Sequence, residues 1–138
     1  MSGVKELLRS EADGSLSFGD HTLAAKTKLA DFKHDGDIYK VKTFKEMTRL
    51  EKNDNFLYES EPGTAVYNMV YSENGVDFTL EAEEDAQLTL GLKEETEYEI
   101  FVDGASVGRM TTNLGGKISF SVELDANVPV KISVKQVV

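Results

Sequence analysis

Two histidines, a surplus of carboxylates and a handful of tyrosines are the residues of this chain with chemistry to offer. His21 and His34 both fall in predicted turns, and neither stands near a serine in a Gly-x-Ser-x-Gly elbow, so both are expected to be solvated rather than catalytic. No Gly-x-Gly-x-x-Gly or phosphate-cradling loop is present, and Gly115-Gly116 is accounted for by a turn. Glu97 and Glu99 lie on the polar side of one predicted strand, about 7 Å apart by strand rise, a separation that alternation alone generates. Glu81, Glu83, Glu84 and Asp85 gather the hard oxygen ligands that calcium takes. They lack the Asp-x-Asp-x-Asp-Gly pattern, and adjacent strand residues point to opposite faces instead of converging. The sequence therefore leads to a non-enzymatic protein with no catalytic residues, no metal and no cofactor. Tyr39, Tyr58 and Tyr71 are the aromatic platforms on which a sugar ring would stack, tryptophan being absent.

Composition narrows the classes further. Cysteine is absent, which removes disulfides, thiol catalysis, iron-sulfur clusters and thiolate zinc sites together. The 138 residues carry a net charge of −10, unevenly spread. Residues 1 to 62 hold 10 Lys/Arg against 12 Asp/Glu, whereas residues 63 to 138 hold 5 against 13. The second half would repel phosphate backbones and anionic lipid, so neither nucleic acid nor a membrane surface is an expected partner. The start, Met1 to Arg9, breaks its apolar patch with charge and reads as no signal peptide, so a cytoplasmic location is expected. No apolar run approaches the roughly 20 residues of a membrane helix.

These side chains must be positioned by strands. Glu97 to Val134 reads as four consecutive ones: Tyr98, Ile100 and Val102 alternate with Glu97, Glu99 and Phe101, Asp103-Gly104 turns, and Ile118, Phe120 and Val122 alternate after the reversal at Asn113 to Gly116. Taken together they predict one half-buried antiparallel sheet, which needs a second layer over its apolar face. About seven strands are expected between Thr64 and Val138 at roughly 10-residue spacing, the pattern of a sandwich. Four or five more are expected before Pro62-Gly63. Val4 to Ser10 fits helix or strand equally. Gly19-Asp20 suggests a hairpin returning through His21-Thr22-Leu23, and Lys26 to Phe32 shows an imperfect strand pattern. Phe44, Met47 and Leu50 have helical spacing, but Asn53-Asp54-Asn55 reads as a hairpin tip, and the hairpin is preferred because the return arm Phe56 to Glu59 is short and aromatic. Tyr67, Met69 and Tyr71 are placed on one face, as core or subunit contacts.

The run Tyr98-Glu99-Ile100-Phe101-Val102-Asp103-Gly104, with Val107-Gly108, Thr111-Thr112 and Gly116 to Val122, resembles the last strands of accessory β-sandwich modules appended to bacterial polysaccharide-degrading enzymes. The likeness spans residues 97–134, rests on strand and turn chemistry, and implies fold more than role. A sialidase activity finds no support in the residues: the arginines are Arg9, Arg49 and Arg109, and the chain is too short for a propeller. The reading as a whole is an all-β antiparallel sandwich, immunoglobulin-like or jelly-roll-like, with an N-terminal hairpin region. It is taken as one domain over 1–138, subdividing if at all into 1–62 and 63–138. Its expected role is a structural or interaction protein that self-associates into a symmetric homo-oligomer or binds a protein partner, through Phe44, Leu50, Phe56 and Tyr58. The alternative is a carbohydrate-binding module using Tyr39, Tyr58 and Tyr71.

Overall fold

The computed structural model describes residues 2–72 and 74–138. Among them there are thirteen strands and no helix. In chain order they are β1 (Leu8–Ser10), β2 (Leu16–Phe18), β3 (Thr27–His34), β4 (Asp37–Phe44), β5 (Met47–Lys52), β6 (Asn55–Glu61), β7 (Ala65–Ser72), β8 (Gly75–Glu81), β9 (Ala86–Gly91), β10 (Glu97–Val102), β11 (Ala105–Thr111), β12 (Lys117–Val122) and β13 (Val130–Gln136). They form two antiparallel sheets. The first runs β1-β2-β7-β8-β13-β10-β11 and the second β12-β9-β6-β5-β4-β3.

Local chemistry explains the hairpins. Asp35-Gly36, Asn53-Asp54 and Asp103-Gly104 each have positive φ at both positions, the primed turn whose twist matches the strands it joins and which asparagine, aspartate and glycine tolerate. The hairpin reading of Thr48 to Glu59 is therefore correct. The turn expected at Glu73 to Gly75 joins β7 to β8, with Glu73 outside the described residues.

The four strands between Glu97 and Val134 are all present, but they do not make one sheet. After β11 the chain crosses between layers, and β12 pairs with β9 in the second sheet, Ile118 opposite Leu90, while β13 returns to the first between β8 and β10. The crossing is held by Thr112, whose buried hydroxyl donates to the Lys93 carbonyl at 2.6 Å and accepts from the Thr96 amide at 2.9 Å. Of the first segment only Leu8–Ser10 is a strand. Gly19-Asp20 forms no hairpin, because β2 ends at Phe18 and the chain then loops as far as Thr27.

Bulges account for the blurred patterns. Asp31 has φ 57° and the β3–β4 register slips between Leu29 and Phe32, so both half-buried side chains pack against the core. Asn68, φ 56°, does the same in β7, where the register slips between Tyr67 and Val70. One extra residue moves the following side chains to the other face. Tyr67 consequently lies outside the main core with Ala65 and Val4, whereas Met69 and Tyr71 pack on it, correcting the expectation of a shared face.

The two inner faces meet around Tyr58. Its ring packs edge-on against Phe18 at 5.2 Å and Phe78 at 5.8 Å, both from the opposite sheet. Its hydroxyl, 2.7 Å from Thr64 Oγ1, joins a buried chain that includes Ser60, Thr48 and Thr43. Burial pushes the Tyr58 phenol far up from its ordinary value.

At the rim of the first sheet, Glu11 ties β1 to β2. Its carboxylate accepts the buried Ser17 hydroxyl at 2.5 Å and pairs with Arg9 at 3.0 Å. The Ser17 hydroxyl, followed by Arg9, holds the carboxyl below its usual range. A carboxyl depressed in the folded state contributes stability above the unfolded pKa of about 4.3, which is lost as pH falls through the lower folded value. Denaturant midpoints measured down the acid limb should therefore fall more steeply in the native chain than in Glu11→Gln.

Candidate functional site

The residues expected at an interface are divided by the sheet. Leu50 and Tyr58 are fully buried between the layers, so the expectation that they meet a partner is corrected. They point inward from β5 and β6, where an extra residue near Leu57 shifts the register between Leu50 and Glu51. Phe44 and Phe56 face outward from the second sheet and are half-buried. The Phe56 ring lies between two cations, Lys117 Nζ at 4.5 Å and the Arg49 guanidinium at 5.2 Å, and Lys26 Nζ stands 5.7 Å from the Phe44 ring.

Tyr39 and Tyr71 are brought to one recess at the end of the sandwich, a cavity of about 160 Å³ that His34, Asp37 and Lys52 also line. Tyr58 is not there, since it is enclosed in the core. His34 is fixed at the rim: its Nε2–H donates to the Gly14 carbonyl at 3.1 Å, which leaves Nδ1 to accept from the Ser10 hydroxyl at 2.7 Å. Asp37 accepts from the Asn53 amide at 2.9 Å and pairs with Lys52 at 3.5 Å, and these contacts hold its carboxyl below the usual range. Tyr39 is 7 % exposed, and burial, with Asp37 and Asp35 nearby, raises its phenol. The Tyr71 hydroxyl donates to the Gly91 carbonyl at 2.9 Å, and Lys52 Nζ sits 5.5 Å from its ring. Tyr39 therefore presents little of its ring to solvent, and Tyr71 is half-buried.

The other end holds a cluster that the sequence reading missed. His21 is 5 % exposed and Glu81 2 %, so the solvated-turn expectation for His21 is corrected. Glu81 leaves β8 on the face away from the core, and Gly3 to Leu7 passes over it. Glu81 Oε1 accepts from the Tyr67 hydroxyl at 2.9 Å and the Gly3 amide at 3.1 Å. The Tyr67 phenol is pushed far up by burial and by this carboxylate. His21 Nε2 lies 3.6 Å from Glu81 and Nδ1 lies 3.7 Å from Glu83. Neither distance makes a hydrogen bond, so both buried ring nitrogens of His21 are without a hydrogen-bond partner, and no three His, Cys, Asp or Glu side chains gather as a metal site among the described residues. Asp85 is engaged elsewhere, accepting the Leu124 amide at 2.8 Å. What this arrangement does is fasten the first segment. The Val4 amide donates to Gly19 O at 2.8 Å, the Gly19 amide donates to Leu7 O at 3.0 Å, and Lys5 pairs with Asp20 at 3.4 Å. Gly19, φ 93°, passes so close to the Thr64 carbonyl that a Cβ would lie 2.5 Å from it. A period-2 search cannot find such a site, because its parts come from a loop, a strand end and the first residues.

The exposed backbone is the remaining candidate. β11 is the outermost strand of the first sheet, and all seven of its residues are exposed, Val107 at 61 % and Met110 at 37 %. Its inner edge pairs with β10, slipping register between Ile100 and Phe101 so that Val107 has no opposite residue. On the sheet face away from the core, Glu99 of β10 accepts from Ser106 Oγ at 2.6 Å and approaches Arg109 at 3.7 Å. The chain matches no family model, no curated protein and no solved structure among known proteins. Of the other edge strands, β1 is three residues long, and β3 carries Lys28, Lys33 and a bulge at Asp31. β12, the outermost strand of the second sheet, alternates buried Ile118 and Val122 with exposed residues. β11 alone among the described strands is exposed along its whole length on both faces.

Proposed function

We propose that this chain is a non-enzymatic structural protein that pairs with a second copy of itself, β11 lying antiparallel to β11 of its partner. The observation that carries this reading is the seven-residue edge strand exposed throughout. An open strand edge presents a row of amides and carbonyls that another strand satisfies. The occupant suggested by its chemistry is the same strand. Ala105 to Thr111 contains no carboxylate although the chain carries a net −10, so a two-fold pairing there juxtaposes no acidic side chains from the strands themselves. The two sheets would then run on as one.

Light scattering after size exclusion, over a hundredfold range of concentration, tests this. The native chain should have twice its 15.3 kDa chain mass. The double variant V107K/M110K, which puts lysines on the edge, should have the single-chain mass with an unchanged circular dichroism spectrum. Val70→Lys, at a 60 % exposed position of β7, should behave as the native chain. A native monomer at every concentration, or a dimer that survives V107K/M110K, overturns the proposal.

A further inference from the structure

The outer face of the second sheet carries a row of cations that its own structure does not explain. Lys28 on β3 is the direct cross-strand partner of Lys42 on β4, and Lys42 is the direct partner of Arg49 on β5. Like charges so placed destabilise a sheet. Arg49 is balanced by Glu51 at 3.2 Å and Glu59 at 3.5 Å, and the neighbouring Lys40 reaches Glu51 at 3.3 Å. Lys28 and Lys42 have no carboxylate within ion-pair distance among the described residues. A cationic strip thus sits on an acidic protein. The opposite sign is concentrated elsewhere. The β8–β9 loop exposes Glu83, Glu84 and Asp85, and the β12–β13 loop exposes Glu123 and Asp125. The Leu124 amide, bonded to Asp85, ties these two loops together.

We infer that the Lys28–Lys42 row docks the paired acidic loops of another copy. This rests on the self-association reading and adds a second, heterologous contact to it. The two surfaces are different parts of the molecule, so the contact runs head to tail, and repeated it builds open chains or rings from β11-paired dimers. Charge complementarity favours a copy of this chain over a long polyanion, which would have to run past carboxylates on the rest of the surface. Attraction of this kind between exposed charges is screened by salt, whereas hydrogen bonding along β11 is much less so.

Sedimentation velocity at about 0.01 M and about 1 M salt, where the screening length falls from about 30 Å to about 3 Å, reads the two contacts separately. Species larger than the dimer are expected at low salt and should collapse to the dimer at high salt. K28E/K42E should lose the larger species and keep the dimer, as should E84K/E123K. Mixing those two variants should restore the larger species, because the intact Lys28–Lys42 row of E84K/E123K meets the intact acidic loops of K28E/K42E. Absence of anything beyond a dimer at low salt, or failure of the mixture to restore it, overturns this inference while leaving β11 pairing intact. Larger species that survive V107K/M110K at low salt but vanish as monomers at high salt support the charged contact and remove β11 pairing. Retention of a duplex oligonucleotide by the native chain and not by K28E/K42E overturns it in favour of nucleic acid.

Discussion

Replacing Tyr58 by alanine is expected to lower stability by about 3–5 kcal/mol, the range found for deleting a buried aromatic ring. The ring is fully enclosed and bridges the layers, reaching from β6 of the second sheet to Phe18 and Phe78 of the first. Its loss would leave a cavity at the point where both sheets have committed large side chains. Thr64 would also lose the phenol and keep Ser60 at 2.9 Å. Tyr58→Phe separates the two parts: it retains the edge-on packing and removes one buried hydrogen bond, for which about 1 kcal/mol is the expected cost. Urea denaturation of the three proteins measures both. Equal effects for alanine and phenylalanine would mean that the hydroxyl chain, not the ring, holds the sheets together.

The second large effect belongs to Glu81. Glu81→Ala should cost about 3 kcal/mol, because it removes the acceptor of both the buried Tyr67 hydroxyl and the Gly3 amide. Glu81→Gln keeps an acceptor oxygen and should cost less. The loss should also be local. Amide hydrogen exchange at Val4 and Gly19, whose N–H groups bond across the first segment, should speed up by more than the global loss of stability accounts for. Exchange at Val4 changing only in step with the core would show that the segment does not depend on Glu81.

Both effects lie at positions that the sequence treats unequally. Tyr58 stands in a legible strand, and its hairpin partner Leu50 is equally plain. That Tyr58 points inward while Phe56 points outward depends on an extra residue at Leu57 that no alternation announces. In the sequence Glu81 groups with Glu83, Glu84 and Asp85 as one cluster of carboxylates. The structure separates them, since Glu81 turns beneath the first segment and Asp85 bonds the Leu124 amide. For the proposed assembly site, the sequence places a strand between the Asp103-Gly104 turn and the reversal at Asn113 to Gly116. Its exposure was not legible, because burial depends on how far the second sheet extends beneath the first. The Lys28–Lys42–Arg49 row was equally hidden, since it exists only once three strands are set in register.

The all-β class, the seven strands after Thr64, and the tight hairpins at Asn53-Asp54 and Asp103-Gly104 are legible in the residues alone. These follow from side-chain period and from residues that tolerate positive φ, interactions within a few positions along the chain. Tertiary structure alone decided that β12 leaves its neighbours for the other sheet, that the Asn68 bulge turns Tyr67 away from Met69, and that His21 is buried beside Glu81. Those outcomes rest on contacts between distant residues, such as the Gly3 amide on a carboxylate 78 positions away. A residue's neighbours in sequence carry no information about which of many apolar faces will finally cover it.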